Sequence, residues 1–213
     1  MIFRKCNFTI FTFMKTQSTE KMRKLREFIA QIISLTDEEL LRLYAFLEIK
    51  SLPRNSLFLK EGEVCRSIAF VNEGALIYFK SLENGTEMTT DFAFEGEWVT
   101  NNMSRLSKTP SLLNIKAVEN TELFIINDDD LTGLYLSMPK VERLGRVITE
   151  QAFVRTTLLS IDLQVLPAKE RYERLLKRYP QIINRLPLYH IANYLGIAPK
   201  SLSRIRNEYL HKK

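Results

Sequence analysis

Hydrophobic and polar positions change their period several times along the chain. Over residues 20–33 and 37–47 apolar positions recur at steps of three and four, and Leu40, Leu41, Tyr44, Phe46 and Leu47 line one face. Two helices are predicted there, the second opened by Thr36 with Glu39 three residues on, the pattern of a capping box. From about residue 48 to 127 short β-prone runs take over, at 67–72, 75–81, 88–94, 112–118 and 122–127. Turn signals separate them: Glu61-Gly62, Asn72-Glu73-Gly74, Asn84-Gly85, Glu95-Gly96 and Glu119-Asn120. Asn84-Gly85 predicts a hairpin in which both turn residues accept positive φ. So many short strands at this spacing predict a jelly roll or sandwich.

Helical period returns after residue 127. Asp128, Asp129 and Asp130 suit the positive end of a helix dipole, and that helix is expected to end near Met138. A long helix is predicted over 140–166, stopped by Pro167. Along it Leu144, Val147, Gln151, Val154, Leu158, Ile161 and Val165 follow alternating steps of three and four. That is a narrow seam of the coiled-coil kind, with Gln151 as its polar register position. A seam of this sort pairs well with its own copy about a two-fold axis; the alternative is packing against the β region. Residues 168–179 read as a basic amphipathic helix ended by Pro180, with a short helical piece over 181–185.

The last segment carries the most chemistry. Residues 188–207 read as two helices joined at a bend. Ala192 is small where the second helix must cross, and Gly196 can take the positive φ of a sharp turn. Ile191, Leu195, Ile197, Leu202 and Ile205 supply the apolar positions that join the two helices. Pro199 fits the first turn of the second helix, and Ala198 is a weak N-cap before it. With Leu202 and Ile205 turned inward, Lys200, Ser201, Ser203, Arg204 and Asn207 face outward. Arginine reads guanine bidentately, asparagine reads adenine, and serine adapts to either. Lys200, Arg206 and Arg185 are expected to contact phosphate. The bland alternative is a helical hairpin with a solvated charged face.

Charge sharpens this reading. The chain of 213 residues carries a net charge of +6, divided as +5 over residues 1–30, −7 over 31–150 and +8 over 151–213. A basic end on an acidic body suggests a polyanionic partner for the C-terminal part. Composition is otherwise that of an ordinary globular protein, with 45% hydrophobic and 26% charged residues. Two cysteines, Cys6 and Cys65, and two histidines, His190 and His211, leave little for a disulfide framework, a zinc site or an iron–sulfur cluster. No apolar stretch reaches the length of a membrane span, so a cytoplasmic protein without membrane attachment is expected. Residues 1–13 lack a small-residue cleavage site and are expected to be a disordered extension or a misplaced start.

Taken together, the chain resembles the Crp/Fnr family of bacterial transcription regulators from about residue 35 to 210. The residues that carry the resemblance are Phe58-Leu-Lys-Glu-Gly-Glu63, Phe70-Val-Asn-Glu-Gly74, Phe94-Glu-Gly-Glu97, Thr109-Pro-Ser111, the run 117–125, and Leu202-Ser-Arg-Ile-Arg206. The resemblance implies an α+β protein: a jelly-roll (double-stranded β-helix) sensor domain, a long dimerisation helix and a C-terminal helix-turn-helix. The boundaries expected are a tail and helix over 1–30, a cyclic-nucleotide-binding-like roll over 31–138, a dimer helix over 139–166 and a DNA-binding domain over 167–213. It implies a homodimeric regulator that binds double-stranded DNA and meets RNA polymerase, with Ser203 and Arg204 as the DNA-contacting pair. The chain stops at Lys213, so no C-terminal wing is expected.

In this family a phosphate cassette begins at Gly-Glu and ends at Arg-Ser or Arg-Thr. Gly96-Glu97 matches the first half, but Ser111-Leu112 stands at the second, without the guanidinium that would pair the phosphate. These four residues are the candidate effector pocket, with Arg105 and Lys108 on a nearby loop. Tight cyclic AMP binding is not expected, and an unknown small-molecule effector, or none, stays open. A metal cofactor is not expected either. The competing reading is a cupin-like enzyme or small-molecule-binding protein, disfavoured because the β region holds no histidine.

Overall fold

The computed structural model describes residues 21–210. Two helices, α1 (Arg23–Ala30) and α2 (Asp37–Tyr44), precede eight strands. The strands are β1 (Glu48–Leu52), β2 (Leu57–Leu59), β3 (Ser67–Glu73), β4 (Leu76–Ser81), β5 (Glu87–Ala93), β6 (Trp98–Val99), β7 (Asn114–Ala117) and β8 (Thr121–Asn127). A short helix, α3 (Asn102–Ser107), interrupts them between β6 and β7. Then come α4 (Asp128–Ser137), α5 (Pro139–Val165), α6 (Ala168–Arg178), α7 (Ile182–Arg185), α8 (Leu188–Tyr194) and α9 (Pro199–Leu210). The expectations for residues 1–13, for Cys6 and for His211 fall outside the described residues.

The strands form two four-stranded antiparallel sheets, in the orders β1-β8-β3-β6 and β2-β7-β4-β5. Between them lies a core of small and aliphatic side chains, among them Ala69, Val71, Leu76, Ile115 and Leu123. Both outer faces are apolar as well, because successive residues of a strand point to opposite sides. In β3, Ala69 and Val71 point into the roll while Ile68 and Phe70 pack outward against α1, α2, α4 and the start of α5. In β4, Leu76 points in and Ile77 points out. Strands buried on both faces read as unbroken apolar runs, which is the texture of Ile68-Ala69-Phe70-Val71.

Local signals act as read, with two corrections. Thr36 and Glu39 make the reciprocal capping box, the Glu39 amide donating to Thr36 and the Thr36 amide to the Glu39 carboxylate. Asn127 caps α4 through the Asp130 amide. At Asn84-Gly85, only the glycine is left-handed, at φ 79°. The Gly85 amide donates to the Leu82 carbonyl and the Leu82 amide to the Thr86 carbonyl, so three residues, not two, turn the chain. Arg105 lies on α3 rather than on a loop and pairs with Asp128 at 2.7 Å.

Gly74 shows how tightly β3 is turned into β4. Its φ is +95°, and an added Cβ would lie 2.4 Å from Thr121 Oγ1 and 2.7 Å from the Asn120 carbonyl oxygen. Gly74→Ala therefore combines backbone strain with a clash against main chain. A loss of at least about 2 kcal/mol in urea denaturation is expected; an unchanged midpoint would contradict this account of the turn.

Candidate nucleic-acid interface

The bend between α8 and α9 is built as a Schellman turn. Gly196 sits at φ +66°, the Ile197 amide donates to the Ala192 carbonyl at 3.0 Å, and the Gly196 amide to Asn193 at 2.9 Å. Ala192 is fully buried at the crossing, and Ile191, Leu195, Leu202 and Ile205 are buried around it, with Ile197 half-buried. The Ala198 carbonyl accepts the first two amide bonds of α9, and Pro199 occupies a place that needs no donor. Arg171 of α6 donates from Nε and Nη2 to the Leu195 carbonyl, at 3.1 and 2.8 Å, and from Nη1 to the Leu166 carbonyl. It ties the bend to the end of the long helix.

This construction turns Lys200, Ser203, Arg204 and Asn207 to the surface. Ser201 and Arg206 are half-buried, and Arg206 hydrogen-bonds Tyr172. Ser203 Oγ donates to the Pro199 carbonyl at 3.1 Å, which holds its side chain along the helix. The outward side of α9 is thus a ridge of two cations, a hydroxyl and an amide.

The opposite side of the pair is occupied. α8 packs on β5: Tyr194 lies against Phe92 with ring centroids 4.7 Å apart, and Asn193 Nδ2 donates to the Glu87 carbonyl at 2.8 Å. His190 is 2% exposed, with Nδ1 2.6 Å from Thr89 Oγ1. Burial, with Lys116 nearby, lowers the His190 pKa to about 4. Burial likewise pushes the Tyr194 hydroxyl up to about 12. Phe94 meets Tyr179 at 4.9 Å, and Tyr172, Leu175, Ile182 and Leu186 complete one shared apolar cluster with the outer face of the sheet.

Ion pairs ring this contact. Arg185 grips Glu95 with two bonds of 2.7 and 2.8 Å and also reaches Glu119. Burial raises the Glu95 pKa, but the Arg185 bond and the Gly74 amide outweigh it and hold the carboxyl low. Tyr179 and Arg178 donate to Glu97 at 2.8 and 3.3 Å. Arg155 of α5 pairs with Asp91 and stands 3.6 Å from Glu97. Burial raises the Asp91 pKa, against the pull of Arg155.

No described hydrogen bond joins Gly96 or Glu97 to Ser111 or Leu112 among the candidate effector residues. Gly96, at φ +83°, donates its amide to the Val71 carbonyl in the turn from β5 to β6, and Glu97 serves the C-terminal helices. Ser111 is buried: its Oγ accepts from Asn101 Nδ2 at 2.8 Å and donates to the Leu113 carbonyl at 2.7 Å. Leu112 is exposed. Asn101, which the sequence reading missed, caps α3 through the Ser104 amide. Its signal was an asparagine directly before a short apolar-periodic stretch. Arg185, expected on phosphate, is taken up by Glu95 and Glu119. In the long helix Leu144 is buried against the roll and Val147 is half-buried, whereas Gln151, Val154, Leu158, Ile161 and Val165 are exposed.

Residues 49–137 match the family of cyclic nucleotide-binding domains. Solved structures match over most of the chain. FixK2 of Bradyrhizobium japonicum shares 17% identity, with 78% of this chain and 85% of that one covered and a TM-score of 0.68. CLP of Xanthomonas campestris, a c-di-GMP-responsive global regulator, shares 16%, covers 83% and 93%, and reaches 0.64. A regulator assigned to the Crp/Fnr family from Eubacterium rectale shares 17%, covers 84% and 85%, and reaches 0.61. In fold, the chain is similar to these regulators over most of its length. No curated protein sequence matches it. The residues that match the cyclic nucleotide-binding domain are those of the roll and of α4, and among the described residues no strand follows Asn127. No helix among those residues is long and apolar enough to cross a membrane.

The His190 contact sets a pH dependence. Its folded pKa, about 4, lies below the ordinary value of 6.5, so the unfolded chain takes up the proton first. The stability from burying the neutral ring is complete above pH 6.5 and is lost as pH falls towards 4, by up to about 3 kcal/mol. Denaturant titrations at pH 7 and pH 5 should show this loss, and His190→Gln should reduce the difference. An equal pH dependence in both proteins would contradict the assignment.

Proposed function

We propose that the chain is a sequence-specific DNA-binding transcriptional regulator that acts as a homodimer. The observation that carries this reading is the outward ridge of α9, where Lys200, Ser203, Arg204 and Asn207 stand clear while the apolar side of the same helix is buried. Arg204 and Asn207 read base edges, with Ser201 and Ser203 beside them; Lys200 and Arg206 hold phosphate. The exposed half of the α5 seam, from Gln151 to Val165, is the surface on which a second copy pairs, so that two ridges enter successive major grooves. The relatives of this fold are regulators, which supports this reading over a cupin-like enzyme. Contact with RNA polymerase follows from the same analogy.

The roll is proposed not to hold cyclic AMP tightly. Ser111 spends its hydroxyl on Asn101 and Leu113, and Arg105, the guanidinium nearest in sequence, is committed to Asp128. Neither supplies the bidentate charge partner that a buried phosphate needs.

Selection from random duplexes, followed by titration at several salt concentrations, tests the reading. Binding should weaken steeply with salt. Arg204→Ala should cost about 1–3 kcal/mol and relax preference at one base pair, while Lys200→Ala should weaken all sequences alike. Leu158→Asp should turn the dimer into a monomer in sedimentation. Absence of salt-dependent duplex binding, or unchanged preference in Arg204→Ala, would overturn the proposal.

A further inference from the structure

We propose that the junction of the long helix with the C-terminal helices is a binding site for a small organic anion: a carboxylate or phosphate head on a short apolar body. A cleft of about 230 Å³ opens there between the C-terminal half of α5, α6 and the end of α8. On α6, Arg171, Arg174 and Arg178 follow at steps of three and four and so share one face, and that face lines the cleft. Arg155 joins them from α5.

The charges there do not balance. Arg155 and Arg178 are answered by Asp91 and Glu97, and Arg174 by Asp162 at 2.8 Å. Four guanidinium groups thus meet three carboxylates. Arg171 is the one left over: its described hydrogen bonds all go to main-chain carbonyls, those of Leu166 and Leu195, and it is part-buried. A part-buried cation without a counter-ion attracts an anion, because low dielectric strengthens the pair and desolvation penalises the bare charge. Arg174 sits at the same cleft, more than half exposed, with one N–H spent on Asp162.

The rest of the lining selects what carries the anion. Leu159 and Leu175 provide an aliphatic wall and Tyr194 an aromatic one. An oxyanion seated by the arginines therefore places its body against apolar surface, and a bare inorganic ion leaves that surface wet. The volume holds a compact molecule. The site lies apart from the roll's Ser111 region, since the two share no residue. A ligand in it touches α5, α6 and the Leu195 bend at once, so occupancy ties the long helix to the position of α9.

Isothermal titration calorimetry on the full chain at low salt tests the site. Phenyl phosphate and benzoate are the probes, and inorganic phosphate supplies the head group alone. At least one aromatic anion should bind about tenfold or more tightly than inorganic phosphate, and comparison of the two identifies the preferred head. Arg174→Gln should weaken that binding at least about tenfold. Leu159→Trp, which fills the cleft and leaves the charges, should abolish it, and Arg146→Gln on the exposed side of α5 should leave it unchanged. The proposal is overturned if neither aromatic anion outbinds inorganic phosphate, or if Arg174→Gln and Leu159→Trp bind as the parent does. Because the readout is ligand binding without DNA, it fails or holds separately from the regulator reading.

Discussion

The outer face of the sheet β2-β7-β4-β5 cannot face water, and most of the remaining architecture answers that constraint. Ile77, Phe79, Phe92 and Phe94 all project from it and are buried beneath the C-terminal helices. Each aromatic or aliphatic side chain covered in this way contributes roughly 1.5–3 kcal/mol. The C-terminal helices have a matching need, since Tyr172, Leu175, Ile191 and Leu195 cannot be enclosed by two short helices alone. One apolar cluster therefore serves both parts. Its orientation decides what is left outside: α8 goes down onto β5, and α9, crossing it at Gly196, goes up with its polar ridge free.

The same contact explains the uneven charge along the chain. The acidic body and the basic end are partly each other's counter-ions, for Arg155, Arg178 and Arg185 are held by Asp91, Glu97, Glu95 and Glu119. These pairs are part-buried and ring an apolar contact, so breaking one side leaves an unmatched charge at low dielectric, which costs more than an exposed pair ever contributes. Beyond this ring, Lys200 and Arg204 on the ridge and Arg171 at the cleft are among the cations without a carboxylate in the described ion pairs. Charge that remains after internal pairing, rather than total charge, marks the surfaces available to polyanions and to small anions.

Local rules made much of this legible in the sequence. The capping box at Thr36, the unbroken apolar runs of β3 and β8 and the bend at Gly196 each depend on neighbours within a few residues, and each was readable there. β1 and β6 were missed because one is largely exposed and the other is two residues long, so neither has a burial pattern to detect. The Asn84-Gly85 turn was found but mistyped, since the pairing of Leu82 with Thr86 sets the loop length. The long-range partners were out of reach. Nothing around Glu97 announces that Arg178 and Tyr179, some eighty residues later, claim it, and nothing near Arg185 announces Glu95. The seam of α5 was read as one surface, yet Leu144 is used by the roll and only the part from Gln151 onward is open. Matching residues to a family cassette groups Gly96, Glu97, Ser111 and Leu112, while the hydrogen-bond partners of Glu97, Arg178 and Tyr179, and of Ser111, Asn101 and Leu113, lie beyond that pattern.

The central claim is that the buried side of α8 and the open side of α5 together hold two α9 ridges at one turn of a DNA duplex. The distance between the ridges tests it directly. A spin label at Glu208→Cys, an exposed position of α9 outside the base-reading residues, with Cys6 and Cys65 replaced by serine, reports that distance by pulsed dipolar spectroscopy in the complex with a selected duplex. The account predicts a single distribution centred near ~34 Å, within the reach of the label. No dipolar signal, or a separation that fits no multiple of the helical repeat, would contradict it.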